Sequence, residues 1–202
     1  MKKTLFGLLP LALLAACGGG AEKKVLVMVK GSVSVAKTDN TITVKEGTGY
    51  SEEEIELKGN KPTTLTAKTS DGKSTTIDVP AEPGYYILSL RSDTVVGSFQ
   101  QSGTESAGGQ VISQESLKQK IDSLDQLTKG ANVSAANHNY LVAPNQLVKV
   151  TDNAGARIFG PFRRIPAAGV EPPANGKPLE IYKFSTNNEV RETIEKLKKM
   201  TQ

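Results

Sequence analysis

Residues 25–44 read VLVMVKGSVSVAKTDNTITV. Val25-Leu26-Val27-Met28-Val29 is an apolar, β-branched-rich run of strand length. Ser32-Val33-Ser34-Val35 and Thr41-Ile42-Thr43-Val44 alternate strictly between polar and apolar, the period of a half-buried strand. Asp39-Asn40 between them is a turn pair, because short polar side chains bond their own backbone and tolerate tight geometry. The two alternating segments therefore predict a hairpin. Working outward, Ile55-Glu56-Leu57, Thr64-Leu65-Thr66-Ala67 and Thr75-Thr76-Ile77-Asp78-Val79 repeat the pattern, with Gly59-Asn60 and Ser70-Asp71-Gly72 as turns. Residues 85–91 and 94–99 supply the last strands. Seven or eight short strands with no helical signal predict an all-β sandwich or small barrel over residues 25–100.

The composition then changes. Residues 101–112 are polar and glycine-rich and read as a linker. Ser113 precedes QESLKQKIDSLDQLTK, where Leu117, Ile121, Leu124 and Leu127 recur at helical spacing and Gly130 follows as a C-terminal cap. Its narrow apolar stripe predicts a helix lying on a sheet or partner surface. Tyr140-Leu141-Val142, then 147–151 and 157–159 around the turn Asp152-Asn153-Ala154-Gly155, predict strands, the last two as a hairpin. Residues 166–178 hold four prolines and predict an extended surface loop. Residues 179–184 alternate as a strand. Asn187 or Asn188 caps a final helix bearing Val190, Ile194 and Leu197, with Glu189 and Glu192 early and Lys196, Lys198 and Lys199 late, as the helix dipole favours. Residues 113–202 thus predict a small α+β domain, and the chain as a whole is α+β.

At the other end, Lys2 and Lys3 precede an apolar run that leads through Leu14, Ala15 and Ala16 into Cys17, the only cysteine. This is the layout of a secretory signal peptide. The run holds about a dozen residues broken by Gly7 and Pro10, too short for the roughly 20 that cross a bilayer. The ending Leu14-Ala15-Ala16-Cys17 resembles the lipobox of bacterial lipoproteins. That resemblance implies cleavage of residues 1–16 by signal peptidase II and a diacylglyceryl anchor on Cys17. Residues 17–24, with Gly18-Gly19-Gly20, then read as lipidated cysteine and flexible tether. By the same resemblance, the residue after Cys17 is not Asp, which favours the outer membrane of the cell envelope.

Cleavage of 16 residues from 202 leaves 186, enough for one large or two small domains. The chain carries 25 Lys and Arg against 21 Asp and Glu, and losing Lys2 and Lys3 brings the balance to about +2. That charge, without a nucleic-acid-binding pattern, argues against nucleic acid as a partner.

Catalytic groups are sparse. His138 is the only histidine; Ser134, Asp122 and Asp125 are close in sequence, but no nucleophile-elbow pattern accompanies them, and a loop histidine between asparagines reads as a solvated or hydrogen-bonding group. One histidine and one lipidated cysteine leave no zinc site, and no cofactor is implied. Residues 103–109 lack the Lys-Ser/Thr of a phosphate loop. Glu52, Glu53 and Glu54 lack the spaced ligands of a calcium loop and read as a solvated charge run, pointing alternately to opposite sides. Tyr85 and Tyr86 alternate likewise, one packed and one exposed. Phe162-Arg163-Arg164 is the best contact patch, combining residue types enriched at interfaces. The expectation is a lipid-anchored envelope protein acting as a non-catalytic binding or scaffold module for an envelope protein or polysaccharide. The alternative is a small surface hydrolase or glycan-processing accessory using paired carboxylates.

Overall fold

A computed structural model describes residues 22–36, 40–100, 113–166, 170–171 and 179–201. The lipobox residues Leu14, Ala15, Ala16 and Cys17, the linker 101–112 and most of the loop 166–178 lie outside these. The fold is mostly β, with two helices among the described residues.

Strand β1 (Glu22–Ala36) and strand β2 (Thr41–Lys58) form the hairpin expected around Asn40, but each is far longer than the short strands read from sequence. Pairing runs from Glu22 opposite Lys58 to Lys30 opposite Tyr50, and again from Ser32 opposite Lys45 to Ala36 opposite Thr41, while residues 46–49 of β2 have no partner on β1. The register shifts between Lys30 and Ser32. Gly31 sits there at φ +102°, and a Cβ on it would stand 2.1 Å from the Lys45 carbonyl oxygen. Only glycine fits this bulge, which bends the hairpin. β1 begins at Glu22, so residues 22–24, expected in the tether, belong to the sheet. Lys23 is buried there, its ammonium donating to the Lys61 and Pro80 carbonyls at 2.6 and 3.1 Å.

The remaining strands are β3 (Thr63–Thr69), β4 (Ser74–Val79), β5 (Gly84–Leu90), β6 (Val95–Gln100), β7 (Asn139–Val142), β8 (Gln146–Thr151), β9 (Arg157–Phe159) and β10 (Ile181–Thr186). Six of the ten form a curled, nearly closed sheet in the order β4-β3-β2-β1-β5-β8, and the other four form a second sheet, β7-β6-β10-β9. Strands cross the sequence division at 101–112 in both directions: β6 lies in the second sheet and β8 closes the first. β8 and β9 do not make the expected hairpin. β8 pairs antiparallel with β5 and β9 parallel with β10, so the turn at 152–155 carries the chain from one sheet to the other.

Three apolar layers follow. Val25, Val27, Val29, Ile42, Leu65, Val79, Tyr86 and Leu88 fill the inside of the curl. Leu26, Met28, Tyr85, Ile87, Tyr182 and Phe184 fill the space between the two sheets. Val96, Leu127, Val190 and Ile194 join the outer face of the second sheet to helices α1 (Gln114–Thr128) and α2 (Asn187–Lys199). β1 and β5 separate the first two layers, so both Tyr85 and Tyr86 are buried, one on each side, in place of one packed and one exposed. α1 starts at its expected cap, Ser113. α2 is capped one residue earlier than expected, by Thr186, whose side chain and Glu189 form a reciprocal capping box.

Candidate functional site

The candidate patch is built where the loop after β9 crosses back over the hairpin. Residues 160–163 turn tightly, the Arg163 N–H donating to the Gly160 carbonyl at 3.2 Å. β2 holds the loop from one side. Glu52, its side chain only 3% exposed, accepts from the Phe162 N–H at 3.2 Å and pairs with Arg163 Nε at 3.3 Å. Arg163 also donates from Nη2 to the Glu52 carbonyl at 3.0 Å. Glu52 is therefore no solvated charge: the alternation that points Glu52 and Glu54 to one side and Glu53 to the other aims Glu52 under the loop. Gly160 makes room for it, since a Cβ there would lie 2.1 Å from Glu52 Oε1.

The second sheet holds the loop from the other side. Lys183 of β10 donates from Nζ to the carbonyls of Gly160 (2.6 Å) and Arg163 (2.9 Å). Burial pulls its pKa below the ordinary lysine value, partly offset by Glu189 and Glu52. The clamp thus bridges the two sheets.

What the clamp presents is an aromatic pair. Phe162 stacks on Tyr50 of β2 with ring centroids 4.3 Å apart and planes at 10°, and both remain about half exposed. The Arg91 guanidinium lies 4.5 Å from the Tyr50 ring centre and 5.1 Å from that of Phe162. Its side chain is 1% exposed and bidentate to Asp93, at 2.7 and 2.6 Å. A buried, oriented guanidinium beside two rings is worth about 0.5–2 kcal/mol as a cation–π contact and holds them in place. Of the sequence candidates, the structure places Phe162 in the stack, Arg163 in the Glu52 pair, and Arg164 exposed beside them. Tyr50, Glu52, Arg91 and Lys183 were missed as members, and nothing local in sequence connects them.

A second polar cluster lies at the other end of β10. Glu180 accepts from Thr151 Oγ1 (2.6 Å), Asn153 Nδ2 (3.1 Å) and the Tyr182 hydroxyl (3.0 Å). Tyr182 stands 3.5 Å from His138 Nδ1 beside a cleft of about 270 Å³. His138 is exposed, at φ +51°. The residues near it in sequence are engaged elsewhere: Ser134 Oγ accepts from the Asn137 N–H, and Asp125 pairs with Lys129. The structure does not assemble a Ser-His-Asp set. Among the described residues, no group of three His, Asp or Glu could hold a metal ion, and no helix is long and apolar enough to cross a membrane.

A larger cleft, of about 750 Å³, runs along residues 53–58 of β2, opposite Val35, Asn40 and Thr63. Lys24 lies within 3.2 Å of Glu54 and 3.4 Å of Glu56. Burial works against its charge, but these two carboxylates hold its pKa above the ordinary lysine value. Comparison with protein-family models, curated proteins and solved structures found no match for this chain.

Proposed function

We propose that the protein is a lipid-anchored, non-catalytic binding module of the bacterial cell envelope. It is tethered through Cys17 and engages an envelope protein or polysaccharide through the Tyr50–Phe162 patch. The observation that carries the binding part is the exposed stack set against a buried, Asp93-oriented Arg91. Exposed aromatics held by a rigid clamp lose little side-chain freedom on binding, the property that makes aromatic and arginine residues dominate interfaces. The anchor rests on the lipobox resemblance of residues 14–17. Two or more acyl chains on Cys17 would hold the protein stably, at about 0.8 kcal/mol per buried CH₂.

The hydrolase alternative would rest on Glu54 and Glu56 beside the larger cleft. Both are tied to one ammonium, Lys24, an arrangement that suits an ion-pair network better than an acid and base with separate tasks.

The test replaces Phe162 with a photo-crosslinking amino acid in intact cells, with and without Cys17→Ser. Membrane fractionation should recover the parent form and release the serine variant. Irradiation should give a discrete adduct that Tyr50→Ala abolishes. A serine variant that stays on the membrane sinks the anchor, and an adduct indifferent to Tyr50 sinks the patch.

A further inference from the structure

The cleft along β2 has an unusual lining: six consecutive residues, 53–58, all contribute to it. A strand seen from one face shows only alternate residues. A cleft lined by every residue in turn looks at the strand edge-on, where the backbone N–H and C=O groups point. The opposite edge of this segment is taken by β1, from Val27 opposite Glu53 to Glu22 opposite Lys58. On the open side, β3 pairs only with residues 41–44 of β2 and ends at Thr69, opposite Val44. Among the described residues, no strand pairs with 53–58 there, and the cleft separates this segment from Val35, Asn40 and Thr63.

We propose that this edge takes up an extended segment of a partner protein as an added strand, one that alternates apolar and basic residues. Open edges recruit strands through main-chain hydrogen bonds, and alternate side-chain positions supply selectivity. Both alternations are set here. Ile55 and Leu57 face the interior of the curl, beside Val35, and call for apolar residues on that side of the incoming strand. Glu54 and Glu56 face the other way and call for lysine or arginine. One ammonium, Lys24, pairs with three carboxylates, Glu22, Glu54 and Glu56, and Glu54 also accepts from the neutral Tyr85 hydroxyl, so the cluster keeps a net negative charge. The same charge argues against a second copy of this chain pairing edge to edge, since like charges would be set together.

The surface is distinct from the Tyr50–Phe162 patch, and its test is independent of the anchor. The probes are eight-residue peptides of alternating valine and lysine, alternating valine and glutamate, and two forms of the first N-methylated at every valine or at every lysine. Alternate N–H groups of a strand point to one edge, so each methylation set blocks one edge only. Fluorescence anisotropy with the full chain should show the valine–lysine peptide binding at least tenfold more tightly than the glutamate peptide. One methylated form should lose at least tenfold and the other should retain binding. Glu54→Gln with Glu56→Gln should weaken the parent peptide about three- to tenfold. Equal binding of both methylated forms would reduce the contact to charge alone and overturn strand addition, as would no binding at millimolar peptide. Neither result touches the Phe162 adduct, so failure here and failure of the patch remain separate.

Discussion

Residues 25–27 of β1 and 53–55 of β2 are partners in one hairpin, yet they stand under opposite constraints. Val25, Leu26 and Val27 are fully buried on alternating sides, because β1 divides the inside of the curl from the space between the sheets. Across the ladder, Glu53 and Glu54 are exposed and Ile55 alone reaches the core. The same backbone pairing supports both. Being central in a sheet makes a strand scaffold, while lying at an open edge frees its side chains to meet something else.

Val27 stands opposite Glu53, so an acid at position 27 puts the same charge on both strands. Val27→Asp inserts an unpartnered carboxylate into the curl and should cost at least about 4 kcal/mol, a large part of a typical domain's stability, read by urea unfolding or loss of soluble protein. A second probe addresses the doubly buried region as a whole. Tyr85, Tyr86, Tyr140 and Tyr182 all have pKa values raised, chiefly by burial, and Glu54 adds to the effect at Tyr85. The folded protein therefore keeps protons that the unfolded chain loses above the ordinary phenol value of 10.0. Stability should be insensitive to these groups below pH 10 and fall as pH rises past it. In a Tyr50→Phe background, which removes the half-exposed phenol of the patch, absorbance of phenolate should appear together with loss of near-ultraviolet dichroism, and phenolate gained while the fold persists would show the buried tyrosines to be accessible.

Gly160→Ala should have an intermediate effect. The new Cβ collides with the Glu52 carboxylate, so either that carboxylate leaves its bonds to Phe162 and Arg163 or the loop shifts, at a cost of about 1–3 kcal/mol. Crosslinking at Phe162 should weaken with it, because the stack rests on that clamp. The smallest change belongs to Glu53, directly opposite Val27. Glu53→Val should alter the unfolding midpoint by no more than about 0.5 kcal/mol, and a loss comparable to that of Val27→Asp would erase the distinction between the strands.

How far the sequence revealed this depends on the range of the interactions involved. Strands at 33–35, 41–44, 64–67 and 75–79 were legible because a period of two is local, and α1 was legible with its cap. The unity of β2 was not: residues 45–54 are polar and glycine-bearing, and what joins the two halves is the pairing of Lys45 and of 50–54 with β1, on either side of 46–49, which have no β1 partner. The assignment of β8 and β9 to different sheets was hidden too, since a turn between apolar runs reads alike whether it joins partners or carries the chain across a sandwich. At the end of β10, Asn187, Asn188 and Thr186 are all capable caps, and the Glu189 carboxylate three residues on decides for Thr186. In the patch, Phe162 and Arg163 showed as residue types, but their partner Glu52 lies 110 residues from Phe162 and looked like one of three equivalent acids.

The position of β1 also bears on mechanics. Among the described residues, the first strand in the chain, β1, lies in the middle of the six-stranded sheet, antiparallel to β2 on one edge and parallel to β5 on the other. A force applied along β1 at Glu22 loads both ladders in shear and must strain many hydrogen bonds at once. An edge strand peeled sideways would yield them one by one. Under the proposed anchor at Cys17, a pull would be met first by a strand braced on both edges.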